Sequence, residues 1–199
     1  MQTTQILLSA EEVAEGIDRL AEAILDRRMA AGAVMVGIPS GGDLLAEALA
    51  AKTGIDEVGM IDITFYRDDL SRIGHHPLVH ETILPDINDR TVILVDEVIR
   101  SGRTIRSAME ALFEFGRPAR IILAVLIDRG ERELPIQPDL TAYPLDIPTH
   151  WLVKLVARDD GSGNTTMAST SKGRVVITWR SAAPNRVMLS GVLNQGMRR

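Results

Sequence analysis

Hydrophobic positions along this 199-residue chain fall into two alternating patterns, amphipathic stretches and short runs that are apolar almost throughout. Ser9 followed by Glu12 has the form of a capping box, and Val13, Ile17, Leu20 and Ile24 then recur at helical spacing, which predicts a helix starting at Ser9 and ended by Gly32. Ala33 to Ile38 reads as a buried strand and Pro39-Ser40-Gly41-Gly42 as a loop. A second helix is predicted from Asp43 to Thr53, closed by Gly54. Val58 to Tyr66 reads as a strand, and Ser71 to Pro85, without a clear period, as a flap or extended hairpin. Thr91 to Val95 is a further apolar strand. The helix after it carries Ile105, Ala108, Met109, Leu112 and Phe113 on one face and is stopped by Gly116-Arg117-Pro118. Ala119 to Ile127, His150 to Ala157 and Arg174 to Trp179 read as strands.

Continuous apolar strands alternating with amphipathic helices imply an α/β fold with a parallel sheet covered on both faces. The pattern fits one domain over residues 1–180, with a flexible Gly/Ser/Thr-rich insert at 159–173 and an extension at 181–199 that gives no signal of its own. Trp151 and Trp179 lie on predicted strands and read as core residues.

Composition changes this picture by exclusion. There are no cysteines, so disulfides, thiolate metal sites and a cysteine nucleophile are ruled out. No apolar run approaches the ~20 residues that span a bilayer, and Met1 to Ser9 lacks a signal-peptide pattern, so a soluble, cytoplasmic protein is expected. A net charge of -5 argues against a broadly basic nucleic-acid binder. The basic residues are nearly all arginine, with lysine only at Lys52, Lys154 and Lys172.

Candidate chemistry concentrates in Val92 to Thr104. A hydrophobic strand leads into Asp96-Glu97, a turn containing Ser101-Gly102-Arg103-Thr104 follows, and a helix begins at once. In an open parallel sheet ligands bind beyond the carboxyl ends of strands. A helix N-terminus offers unpaired N–H groups and a positive dipole end to an anion. Gly102 permits close backbone approach, and Ser101 and Thr104 add hydroxyls. Two acids beside a bare phosphate would repel it; they make sense if a ribose lies between. Asp96 and Glu97 then accept from the 2′ and 3′ hydroxyls and stabilise positive charge developing at C1′. A Mg2+ ion bridging ribose hydroxyls and pyrophosphate oxygens fits the preference of hard ions for oxygen.

Blander readings stand beside this one. A strand end and a helix cap explain each residue of the segment separately, though not all thirteen together. Gly37 and Gly42 have the spacing of a P-loop start, but Asp43 stands where lysine is required, and no G-x-G-x-x-G follows a strand. His75, His76 and His80 read as a solvated loop rather than a metal site. Tyr66-Arg67-Asp68-Asp69 is either a strand end with surface ion pairs or part of a site.

The Val92–Thr104 segment resembles the signature of the type I phosphoribosyltransferases. Asp62-Ile63-Thr64-Phe65-Tyr66-Arg67-Asp68-Asp69-Leu70, Gly116-Arg117-Pro118 and Leu123 to Ile136 narrow the likeness to the pyrimidine-operon attenuation regulators that are also uracil phosphoribosyltransferases, over about residues 8 to 158. The resemblance implies a five-stranded parallel sheet with a small hood and flap, and dimers or larger homo-oligomers. It implies the reaction of uracil with phosphoribosyl pyrophosphate (PRPP) and Mg2+ to give UMP and pyrophosphate, and UMP-responsive binding to pyrimidine leader mRNA. It assigns the catalytic pair to Asp96 and Glu97. Substrate binding falls to Val98, Arg100, Ser101, Gly102, Arg103 and Thr104, with Ser40 and Gly41 in the pyrophosphate loop and Arg67 near the pyrophosphate or flap. Arg19, Arg27 and Arg132 are the candidate RNA contacts.

Three departures from the family pattern accompany this likeness. Pro39-Ser40-Gly41-Gly42 stands where the family carries Lys-Thr-Arg-Gly. The acid pair is Asp-Glu instead of Asp-Asp, with Arg100 in place of Tyr. The basic RNA segment His-Arg-Glu-Leu-Pro-Ile-Arg reads Glu131-Arg132-Glu133-Leu134-Pro135-Ile136-Gln137. These changes leave open a nucleotide-sensing protein without catalysis or attenuation, and a phosphoribosyltransferase for another base.

Overall fold

The computed structural model describes residues 4–64, 81–147, 152–157 and 174–179. In chain order the elements are β1 (Thr4–Leu8), α1 (Ala10–Asp26), β2 (Val34–Gly37), α2 (Gly42–Thr53), β3 (Val58–Met60), β4 (Thr91–Ile99), α3 (Arg103–Phe115), β5 (Arg120–Asp128), β6 (Leu140–Pro144), β7 (Leu152–Ala157) and β8 (Arg174–Trp179). Five strands form one parallel sheet in the order β3-β2-β4-β5-β6, and a smaller parallel sheet runs β1-β8-β7.

The apolar strands explain the layering. In β4, Ile93 and Val95 enter a core shared with α1 and α2, while Val92 and Leu94 enter the core on the α3 side. The period of two along a strand thus serves both faces, which is why no polar position interrupts the run. Helix α1 buries Val13, Ile17, Leu20 and Ile24, and its Ser9–Glu12 capping box is present. It lies so close to the sheet that a Cβ on Gly16 would fall 2.6 Å from the Tyr143 ring and 2.8 Å from Leu126. The Tyr143 hydroxyl donates to the Glu12 carbonyl at 2.5 Å, and burial pushes that phenol's pKa up.

Four expectations change. Helix α1 ends at Asp26 rather than at Gly32. Arg28 adopts the left-handed conformation (φ 54), its N–H donates to Leu25 O, and the Met29 N–H reaches back to Ile24 O. That is a Schellman closure made without glycine, secured by Met29 packing on the core that holds Ile24. Strand β3 stops at Met60, because Ile83 makes an antiparallel bridge there and Asp62 accepts from both the N–H and the hydroxyl of Thr64, turning the chain. On α3, Ala111 rather than Phe113 completes the buried face, and Phe113 is half exposed. Strand β4 does not end before the two acids but carries them, running on to Ile99. Strands β1 and β6 are additions to the expected set, the latter accepting Pro144 at its end on an edge strand. The flap around His75, His76 and His80, Tyr66 to Asp69, Trp151, the insert at 159–173 and the extension at 181–199 lie outside the described residues.

Candidate functional site

The two acids stand next to one another near the end of β4, where the strict alternation of the strand breaks: Val98 packs on the core of Ile93 and Val95, and Ile99 on that of Val92 and Leu94. Asp96 is 5% exposed, and its Oδ1 accepts the Glu97 N–H at 2.9 Å. Glu97 is half-buried and reaches the loop before α2: a Cβ on Gly41 would stand 2.7 Å from its Cδ and Oε2.

That loop is tightly built. Gly41 has φ 132 and its N–H donates to Asp43 Oδ1 at 2.7 Å. A Cβ on Gly42 would collide with the Val95 carbonyl, so α2 can start only where the side chain is absent. The Pro39–Ser40 peptide is cis, and Ser40 is exposed while Gly41 is buried.

On the other side, β4 passes through Arg100 and Ser101 into α3. Gly102 takes φ 88 as the residue before the helix and, as glycine, offers no capping side chain of its own. The Ser101 hydroxyl accepts the Arg103 N–H at 3.3 Å. Thr104 is half-buried in the first turn, and Val98 packs against the core on the α1 and α2 side. Five of the expected residues, Asp96, Glu97, Ser101, Gly102 and Thr104, thus line one stretch of chain with the 39–42 loop beside it. Arg67 lies outside the described residues.

The segment after β5, distant from this turn in sequence, closes over it. Glu133 and Leu134 donate their N–H groups to Ser101 O at 3.0 and 3.1 Å, and Arg129 donates its N–H to Ile99 O at 3.1 Å. Arg100 pairs with Glu131 at 2.7 Å and Arg103 with Glu133 at 2.7 Å. Two departures from the family pattern, Arg100 and Glu131, are therefore partners of one another. Arg129 is buried, which pushes its pKa down, and its Nη2 donates to Ile147 O at 3.3 Å. Beside it, between Asp128–Glu131 and Pro144–Asp146, is a wide-open depression of about 460 Å³ at the carboxyl ends of β5 and β6.

The three candidate RNA contacts are not brought together into one bare cationic surface. Arg19 stacks on the Tyr143 ring at 4.8 Å and pairs with Glu15 at 3.5 Å. Arg27 donates to the Asp139 carbonyl. Arg132 is turned inward, onto Asp128 and the backbone.

The family model for the phosphoribosyl transferase domain matches residues 3–159. The chain belongs to the phosphoribosyl transferase family. Within it, the chain is of the PyrR type. It is 46% identical over 156 residues to the bifunctional protein PyrR of Deinococcus deserti, covering 75% of this chain and 85% of that protein. With the bifunctional protein PyrR of Roseiflexus sp. it shares 49% over 150 residues, covering 72% and 81%. Among solved structures, a hypoxanthine-guanine phosphoribosyltransferase from Bacillus anthracis superposes with a TM-score of 0.60 at 21% identity, covering 73% of this chain and 86% of that one. A purine phosphoribosyltransferase from Pyrococcus horikoshii gives 0.54 at 24%, covering 70% and 85%. These two likenesses establish the fold. Among the described residues no helix is long and apolar enough to cross a membrane.

Proposed function

We propose that this PyrR-type chain is a pyrimidine-operon regulator that also converts uracil and PRPP to UMP and pyrophosphate. The observation that carries the reading is the placing of two adjacent carboxylates near the end of β4, Glu97 beside the loop before α2, ahead of a turn that passes through Gly102 into the N-terminus of α3. Asp96 and Glu97 accept from the ribose hydroxyls, and the backbone of Ser101 to Thr104 holds the 5′-phosphate. The open depression beside Asp128 receives the base, at the carboxyl edge of the sheet where such folds take ligands. In the reaction the C1′–O bond to pyrophosphate breaks, the C1′–N1 bond to uracil forms, and the N1 proton is released. The carboxylates stabilise the positive charge that builds at C1′. Arg100 and Arg103 contribute chiefly through their backbone, since their side chains are engaged by Glu131 and Glu133.

Asp96 and Glu97 offer hard oxygen donors that suit Mg2+ carried with PRPP. When bound, that ion neutralises charge on the pyrophosphate leaving group. Ser40 and Gly41 provide the pyrophosphate loop, and Arg67 serves the same end of the substrate.

A second reading is favoured by one specific feature. The loop carries no cation and faces the Glu97 carboxylate, which suits a protein that binds UMP without turning over PRPP. Incubating the chain with Mg2+, PRPP and a panel of bases, while following UMP and pyrophosphate, separates the two. Release of pyrophosphate with uracil supports the enzyme; UMP binding without release leaves the sensor, and release with a different base alone replaces uracil. For regulation through Arg19 and Arg27, the measurement is a salt-dependent gel shift on pyrimidine leader RNA with and without UMP. Absence of a shift at low salt would sink attenuation by direct binding.

A further inference from the structure

Arg132 has a side chain only 12% exposed, and its guanidinium serves four acceptors. Nε donates to Ile136 O at 2.8 Å, Nη1 to Arg100 O at 2.9 Å and Gly130 O at 3.1 Å, and Nη2 to Asp128 Oδ2 at 2.7 Å. Three of these acceptors lie within four residues of Arg132, and the fourth, the Arg100 carbonyl, is 32 residues away. Arg100 is where β4 gives way to the phosphate turn, Asp128 is the last residue of β5, and Ile136 ends the segment whose N–H groups bind Ser101 O. The same segment lays Leu134 and Ile136 against Gly102, 3.5 and 3.4 Å from where a Cβ would stand. One rigid, planar fork thus ties the turn to the next strand and to the segment that covers it.

We propose that Arg132 is a positioning residue for the 5′-phosphate turn. By holding the Arg100 carbonyl against its own guanidinium, it fixes the path of Ser101 to Thr104. It also keeps a carbonyl oxygen from rotating towards the anion, which that oxygen would repel. Arg132 touches no ligand atom itself, and the proposal rests on the phosphoribosyl reading of the turn. Lysine cannot replace it, because one ammonium point charge does not span the Arg100 carbonyl, the Ile136 carbonyl and the Asp128 carboxylate at once.

The test uses the full chain with Arg132→Gln and Arg132→Lys, titrated with UMP and with uridine, together with amide hydrogen exchange of residues 99–104 in the absence of ligand. UMP affinity should fall ~10- to 100-fold in the Gln variant, as for loss of a charge-assisted contact. Uridine, which lacks the phosphate, should bind as to the unaltered chain. The turn amides should exchange faster while those of β5 keep their protection. The Lys variant should recover only part of the UMP affinity, and it carries the test if the Gln variant does not fold. Equal weakening of UMP and uridine, full recovery with Lys, or unchanged exchange at the turn would each overturn the proposal. So would a loss of RNA binding with UMP affinity intact, which would make Arg132 an RNA contact. If the unaltered chain binds no UMP, the phosphoribosyl reading fails, and the exchange measurement alone decides the role of Arg132.

Discussion

Replacing Gly41 by arginine restores the cation that the family carries in its pyrophosphate loop, but the structure predicts that Glu97 stands in its way. Two costs add. Gly41 has φ 132, and a side chain there costs about 1–3 kcal/mol in backbone strain. The new Cβ also falls 2.7 Å from the Glu97 carboxylate, which must swing off its rotamer at about 0.5–1.5 kcal/mol. Gly41→Arg alone should therefore lower stability by about 3 kcal/mol, or roughly 6–12 °C in Tm for a chain of this size. Glu97→Asp withdraws the carboxylate and removes the second cost but not the first. Urea unfolding of the unaltered chain, both single variants and the double variant should show a coupling of about 1 kcal/mol between the positions. Calorimetric titration with pyrophosphate should show a gain of about tenfold or more in the double variant, and less in Gly41→Arg, whose arginine pairs with Glu97 instead. Stability changes that add to within about 0.5 kcal/mol would refute the shared space. Unchanged pyrophosphate affinity in both arginine variants would refute the assignment of the loop.

Asp96→Asn keeps an oxygen to accept the Glu97 N–H and loses the charge, so the fold should survive while kcat/KM with PRPP falls about ten- to a hundredfold, read by steady-state kinetics. Gly16→Ala, which in an open helix would stabilise by about 0.5–1 kcal/mol, should here destabilise by about 1–3 kcal/mol, because the methyl meets Tyr143 and Leu126; thermal unfolding checks the sign. Glu57 sits below its ordinary pKa of 4.5 through the Arg90 hydrogen bond, and Asp86 below 3.8 chiefly through the Asn88 N–H. Folding lowers both values, so the stability they provide is complete above those pH values and is lost as pH falls through the folded ones. Arg90→Met should flatten the Glu57 share of that acid limb in denaturant midpoints measured from pH 6 to 3, while the Asp86 share, set chiefly by Asn88 and only in small part by Arg90, shrinks less.

The parts of the fold governed by long repeats were legible in the sequence. The capping box, α2 with its Gly54 closure, and the apolar run of β5 stand close to their expected bounds, and β4 begins where expected but runs four residues further. What escaped were features set by tertiary contact. Arg28 takes a left-handed conformation that sequence alone assigns to glycine. The Asp62–Thr64 turn cuts β3 short, and β6 is a short edge strand ending in proline. The paired acids and the Gly102 turn of the site could be found because their chemistry is local. The covering segment could not, because Glu131 and Glu133 meet Arg100 and Arg103 from about thirty residues away. Its one sequence signal was that Arg100 and Glu131 both depart from the family pattern, and in opposite charge.

The small sheet sets an order of assembly. Its middle strand, β8, pairs with β1 on one side and β7 on the other, so the first and last strands among the described residues lie edge to edge. During synthesis the five-stranded sheet has all its strands once Pro144 has emerged, whereas β1 waits for residues 174–179 before it has a neighbour. Such a long-range closure forms late. A ribosome-bound chain halted between Pro144 and Arg174 should therefore carry a protected β2–β4–β5 centre and an N-terminal strand still open to exchange and proteolysis.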